Sequence, residues 1–335
     1  MATMDDIAKA LGVAKSTVSK AINGAGDVSE SMRRAVLETA VELGYTRLRR
    51  SEDAPRLAVF VADMRYEQPE HFGYDIIVGF RKIAEPEGYA VHIIPVNFAM
   101  QSDIHYDEYM MRENYRGGFL LGFSLKDPWM RDFKTCKTPA VLYDNRVTGN
   151  PLVTYVGADT AEGMGLAVGY LKRLGHQKIG YLGGDLGSYV YQQRYQAFFD
   201  ALREEKLPSE ECLAGCAYLE QVCLEEHLPR LLQQQCTAIV CSHDTLAEAV
   251  INRCHRLEVK IPEQVSVLGF DDLPLCAHTR PPLTTIRQNR TELGKSAYCA
   301  LSSQLEGVPL STFLLHTELV KRGSCAAVTE KKTQE

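Results

Sequence analysis

From Leu57 onward the chain alternates short apolar runs with amphipathic stretches, and that alternation restricts it to parallel sheets whose two faces are covered by helices. The runs are LAVFVA from residue 57, YAVHII from 89, GGFLLGF from 117 and PAVLYD from 139, with helical spacing near Tyr74–Glu85 and Ile104–Asn114. The pattern then repeats. VTYVGAD from 153, KIGYLGG from 178, a strand near Cys216, TAIVCS from 237 and VSVLGF from 265 are interleaved with helices over 160–174, 191–206 and 246–256. Two such sets imply two lobes. In this architecture a ligand sits beyond the carboxyl ends of the strands, so the strand-end residues are the first candidates for a site.

The first 45 residues are of another kind. Thr3 offers an N-cap to the amide of Asp6, and Asp5 and Asp6 suit the positive end of a helix dipole. Met4, Ile7, Ala8 and Leu11 then form one apolar stripe. Gly12 and Val13 make a turn into a second helix, Lys15 to about Asn23, too short to hold without packing on its neighbours. At about 100° per residue, Lys15, Ser16, Ser19 and Lys20 share an arc of about 140°, with Val18 and Ala21 outside it. Ser29 caps a third helix, whose inward face is expected to hold Met32, Ala35, Val36, Thr39, Ala40 and Leu43, and Gly44 ends it. A short helix with a cationic, hydroxyl-bearing face suits the DNA major groove, where Lys donates to guanine acceptors and Ser bonds several base edges. An ordinary three-helix corner with a solvated face has the same periodicity.

The assembled residues decide between the two. Gly12, Val13, Thr17, Val18, Ser19, Lys20 and Asn23 form a GV-x-x-x-TVS-K-x-x-N core that resembles the DNA-binding headpiece of the lactose/galactose repressor family. The resemblance makes Lys15, Ser16 and Lys20 base readers, and gives Thr17, Ser19 and Asn23 to phosphate contacts or support of the turn. Ala14 stands where the family usually has a Ser N-cap, a change worth roughly 1 kcal/mol. The likeness continues through the body, which is similar to periplasmic sugar-binding proteins. Asp159 to Gly163 with Leu174-Gly175-His176, Arg194, Ser242-His243-Asp244, Gly269-Phe270-Asp271, Leu283 to Ile286 and Glu318 to Ser324 carry it.

By that resemblance the fold is α/β: an all-α three-helix helix-turn-helix headpiece over 1–45, a shortened linker over 46–56, and a two-lobed body with parallel sheets over 57–328, followed by a tail over 329–335. The lobes take about 57–158 with 289–317 and about 159–287 with 318–328, with crossings near 158, 288 and 318. The effector-binding set it implies is Phe72, Asp144, Arg194, Tyr218, His243, Asp271 and Gln288. Carboxylates accept from hydroxyls, Arg donates in a fork, and aromatic faces stack on a ring. Departures are visible: Asp144, Asn145, Arg146 in place of Asp followed by Arg, Ala197 for a Gly, Gly122 for an Asn, and His243 where Asn is frequent. The linker TRLRRSEDAPR lacks the family's hinge-helix pattern, and only Leu48 is bulky enough to wedge into a minor groove. Arg47, Arg49 and Arg50 are left to hold phosphates, and a solvated tether remains the alternative.

Charge bounds this reading. The formal charge is −6, yet residues 1 to 56 hold nine Lys and Arg against eight Asp and Glu, a net +1 that leaves −7 for the rest. DNA contact is therefore local, and doubling the headpiece strengthens it. No apolar run reaches eighteen residues and no charged-then-apolar leader is present, so a cytoplasmic chain without membrane contact is expected. Ten cysteines without a CxxC are expected to stay as packed thiols, and Cys212, Cys216, Cys223 and His227 only loosely approach zinc spacing. Gly183-Gly184-Asp185-Leu186-Gly187 lacks the Lys-Ser/Thr of a nucleotide loop, and Cys241, His243 and Asp244 do not face one another on a strand.

The expectation is a homodimeric repressor, not an enzyme and without metal or cofactor. It binds two-fold symmetric double-stranded DNA and answers to a small polar effector, foremost a carbohydrate. A ligand-binding protein without DNA regulation, or a regulator of nucleobase type, is the alternative. The tail lacks leucine heptads, which favours a dimer over a tetramer.

Overall fold

Thr3 begins the first helix with a reciprocal cap: its hydroxyl accepts from the Asp6 amide at 3.3 Å while the Asp6 carboxylate accepts from the Thr3 amide at 2.8 Å. In the computed structural model, which describes residues 2–45 and 54–328, this helix α1 spans Met4–Leu11. Gly12, at φ 65°, turns the chain into α2 (Lys15–Ile22), and Ser29 caps α3 (Glu30–Glu42) by accepting from the Met32 amide at 3.3 Å. Ala14 caps α2 with no side-chain bond, so that helix relies on packing: Ile7, Val18, Ala21, Ile22, Val36 and Ala40 close a small core. One detail differs from the sequence expectation. Met32, Val36 and Ala40 face inward as expected, but Leu37 joins them and Leu43, the C-cap, is 42% exposed. Met111, from far along the chain, joins this core.

The strands of the first sheet are β1 (Arg56–Val61), β2 (Ala90–Pro95), β3 (Tyr115–Leu121), β4 (Ala140–Tyr143) and β5 (Val153–Ala158). Helices α4 (Phe72–Ala84), α5 (Phe98–Asp103), α6 (Tyr106–Glu113) and α7 (Trp129–Asp132) connect them. The helix expected near 104–114 is α6, and a further helix, α5, precedes it and ends at Ile104, which is extended at φ −141°. In the second sheet, β6 (Ile179–Gly183), β7 (Ala214–Cys216), β8 (Ala238–Cys241), β9 (Ser266–Asp271) and β10 (Thr284–Arg287) follow α8 (Thr160–Arg173). They are joined through α9 (Tyr189–Glu204), α10 (Glu220–Val222), α11 (Leu228–Gln233) and α12 (Asp244–Arg256). Helix α13 (Arg290–Leu305), not anticipated from the sequence, then returns the chain to the first unit before β11 (Thr312–Leu315) and β12 (Glu318–Val320).

The strand orders are β11-β5-β4-β3-β1-β2 and β12-β10-β9-β8-β6-β7. Each therefore contains a doubly wound parallel core, with a topological switch between β1 and β3 in one sheet and between β6 and β8 in the other. The last strand of the second sheet, β12, is antiparallel to β10. Both cores are apolar and close-packed: Phe60, Tyr106, Trp129 and Phe133 are fully buried beside the first sheet, Tyr181, Phe198 and Phe270 beside the second. The compact units change over between Gly157 and Ala158, Asn289 and Arg290, and Phe313 and Leu314, and Gln68–Phe72 groups with the second unit. The last changeover falls a few residues earlier than the expected 318. The linker's Arg47, Leu48, Arg49 and Arg50, with most of 46–56, lie outside the described residues, as does the 329–335 tail.

Candidate DNA-reading face and ligand site

On α2, Lys15, Ser16 and Lys20 are exposed and Thr17 and Ser19 half-buried, with Val18, Ala21 and Ile22 turned into the core. Asn23, the C-cap, is exposed and donates from its side-chain amide to Ser19 Oγ at 3.3 Å. The cationic face read from the sequence is thus presented outward. Both of its lysines are engaged within the headpiece: Lys15 Nζ lies 2.6 Å from Asp5 Oδ2, and Lys20 Nζ pairs with Asp27. Such exposed pairs are worth little in water and yield to a phosphate or a base edge. The sequence reading did not identify these acidic partners, which come from α1 and from the turn before α3.

In the second unit, Arg194, His243, Asp271 and Gln288 are brought together past the carboxyl ends of β6, β8, β9 and β10. Arg194 is 4% exposed. Its guanidinium donates to the Ser242 carbonyl and, at 3.0 Å, to Asp271 Oδ1, and lies 4.1 Å over the Phe270 ring. Gln288 donates to the same Asp271 oxygen at 2.6 Å. Asp271 itself stands at φ 118°, a backbone conformation that costs of order 1–3 kcal/mol and that this web of bonds maintains. The Ser242 hydroxyl accepts from the Gly184 amide at 3.3 Å and contacts His243 Nδ1 at 2.8 Å, which ties the glycine loop after β6 to the end of β8. Burial, with Arg194 adding to it, lowers the His243 pKa to about 4, so the imidazole is neutral near pH 7. The Tyr191 ring sits 5.6 Å from it at 34°.

Beneath this array lies a group the sequence reading set aside. Asp244 accepts from Thr285 Oγ1 at 2.5 Å and from the Leu273 amide at 2.8 Å, and a Cβ on Gly269 would stand 2.3 Å from its Oδ1. It therefore points into the sheet and away from Cys241, which is itself buried in the core. Burial, and next the charge of Asp271, raise the Asp244 pKa to about 7. The sign follows directly. A folded-state pKa above the unfolded value near 4 means that the folded unit binds the extra proton, so stability is greatest at low pH and declines as pH rises from about 4 to 7. We expect urea unfolding of the second unit to lose up to about 1.4 kcal/mol per pH unit within that window, relative to Asp244→Asn. Equal pH slopes for the two proteins would refute the assignment.

The remaining candidates stand elsewhere. Tyr218 is 83% exposed between β7 and α10 and makes none of the hydrogen bonds that join the other four. Phe72 is the first residue of α4. Asp144 follows β4 at φ 51°, and its neighbour Asn145 is buried and donates to the Phe123 carbonyl. Gly122 has a backbone reason to depart from Asn: at φ 72°, its Cβ would stand 2.8 Å from Met64 Cβ. The cysteine run is split, with Cys216 in β7, Cys212 exposed in the turn before it, and Cys223 buried and donating to the Gly183 carbonyl at 3.4 Å. Among the described residues no group of three His, Cys, Asp or Glu is placed to hold a metal, and no helix is long and apolar enough to cross a membrane.

Fold and site together define a ligand-binding body of two doubly wound units that carries a helix-turn-helix headpiece. Residues 3–47 match the model for bacterial regulatory proteins of the lacI family, and residues 168–325 match the periplasmic binding protein-like domain. The chain therefore joins a lacI-family helix-turn-helix domain to a periplasmic binding protein-like domain. It is 26% identical over 337 residues to the HTH-type transcriptional repressor PurR of Aliivibrio salmonicida (strain LFI1238), covering 97% of this chain and 99% of that protein. Among solved structures it is similar to the transcriptional regulator CelR in complex with cellobiose, with a TM-score of 0.71 and 23% identity over 97% of this chain and 100% of that one. It is also similar to the lac repressor dimer bound to operator and the anti-inducer ONPF, with a TM-score of 0.69 and 22% identity over 97% and 99% of the two chains. These relatives are transcriptional regulators, and the fold is theirs.

Proposed function

We propose that this chain is a dimeric repressor that binds a two-fold symmetric operator through paired α2 helices and responds to a small polar effector in the second unit's strand-end array. The observation that carries the reading is the pairing, in one chain, of an outward cationic recognition helix with the Arg194–Asp271–Gln288 array. An effector hydroxyl or phosphate oxygen suits those donors and acceptors, so sugars and sugar phosphates come first. The cellobiose bound to CelR supports that order. A nucleobase is the second reading, favoured by the Tyr191 and neutral His243 rings, which offer a flat surface beside hydrogen-bonding groups. Effector binding alters operator affinity only through different affinities for two states of the body. No catalytic step belongs to this reading. Thermal-shift measurement of the full chain with cellobiose, glucose 6-phosphate and hypoxanthine separates the ligand classes. A stabilisation by none of them, with no change in DNA binding, would count against the array as an effector site.

For the headpiece, Lys15, Ser16 and Lys20 read bases, while Thr17, Ser19 and Asn23 contact phosphate or brace the turn. Lys20→Ala is expected to weaken binding to a selected operator by about 1–3 kcal/mol and to relax preference at one base pair in each half-site. An equal loss on random duplex DNA would make Lys20 a phosphate contact.

A further inference from the structure

Helix α6 has two apolar sides. Tyr106 and Met110 face the core of the first sheet, whereas Met111, one residue on and about 100° round the helix, is 7% exposed and packs into the headpiece core. Glu108, on that same side, is only 6% exposed. The charges of Arg34 and Glu38 on α3 both act on it: burial first, and then Glu38, raise its pKa, and Arg34 opposes them. The Arg34 guanidinium donates to Glu38 Oε1 at 2.9 Å and reaches the Asp103 carbonyl, at the end of α5, at 3.3 Å. These contacts join residues about seventy positions apart, on the side of α3 where Leu37 is buried. A solvated headpiece on a loose tether would leave Met111 and Glu108 in water.

We propose that α6, with the end of α5, is a built docking surface for the headpiece of this protein, holding α3 so that the recognition helix is oriented by direct contact with the first unit. The consequence for operator binding rests on the DNA-binding reading above: movement of the first unit reaches α2 through packed side chains. The surface combines an apolar knob, Met111, with a buried carboxylate that selects the Arg34 end of α3. It therefore fixes the register of α3 as well as its attachment.

The test is amide hydrogen exchange of the full chain without DNA, so it is independent of whether the operator reading holds. Met111→Lys should speed exchange across α3 at least tenfold while β1 and β3 keep their protection. Unchanged exchange in α3 would overturn the proposal. Because a lysine at this position also strains α6 itself, charge reversal provides a second measurement. Glu108→Arg and Arg34→Glu should each speed α3 exchange, and the double variant should return it to within about threefold of the wild type. Effects of the two reversals that simply multiply, with no recovery in the double variant, would overturn the proposal even if Met111→Lys behaves as expected.

Discussion

Arg194→Ala is expected to abolish the effector response and to destabilise the second unit by about 3–5 kcal/mol, because it removes the guanidinium that pairs with the buried Asp271 carboxylate. Three interactions end together: the ion pair at 3.0 Å, the bond to the Ser242 carbonyl and the contact over the Phe270 ring at 4.1 Å. The bond to Ser242 matters beyond its own strength. Ser242 also holds His243 and the Gly184 amide, so the ends of β6 and β8 lose their common anchor. Asp271→Asn keeps a similar shape and an acceptor for Gln288, and should cost less stability while still removing the charge that orients Arg194. Denaturation of the full chain followed in both units, with effector-dependent operator binding measured under native conditions, separates the two effects. If Arg194→Ala unfolds within 1 kcal/mol of the wild type and responds to the effector at unchanged concentration, the pair is neither the clamp nor the keystone argued here.

What the sequence made legible was local. Thr3, Gly12, Ser29 and Gly44 punctuate the headpiece with the residue types their backbone positions demand, and the strand runs show because a parallel strand buried on both faces is apolar throughout. Arg194, Asp271 and Gln288 were reached through motif likeness, and the structure joins them by hydrogen bonds. Asp244 reads in sequence as a failed triad member that does not face Cys241 on a strand; its true partners, Thr285 and the Leu273 amide, lie about thirty to forty positions away, where no spacing rule operates. The acidic partners of Lys15 and Lys20, ten and seven positions away across a turn, follow no spacing within one helix, and Met111 reads in sequence as one more apolar residue of α6. Helix α13 was missed on different grounds. Its buried face mixes Leu293, Tyr298 and Leu301 with the small Gly294, Ala297 and Ala300 and the polar Arg290 and Gln304, so no clean apolar stripe marks it.

Those small residues make the second large prediction. Gly294 of α13 and Gly79 of α4 mark a crossing at which the two helix backbones touch: a Cβ on Gly294 would stand 1.9 Å from the Ile76 carbonyl oxygen, and one on Gly79 would stand 2.0 Å from that of Thr291. Neither obstacle is a side-chain tip that swings aside. The helices would have to separate, and that would loosen Phe80, which stacks on Phe119 at 5.3 Å and meets Tyr298 at 5.7 Å. It would also stretch the 3.0 Å pair between Arg290 and Asp75, at the start of both helices. Helix propensity alone favours alanine by about 1 kcal/mol at either position. Overpacking opposes it by about 1–3 kcal/mol and more where backbone blocks relaxation, so Gly294→Ala and Gly79→Ala should each lower the melting temperature of the first unit despite the better helix former. Gly165 in α8 provides the control, since a Cβ there meets nothing within 4 Å and Gly165→Ala should leave the melting temperature unchanged or raise it. A Gly294→Ala protein that melts at or above the wild type would show that the crossing is looser than this packing requires.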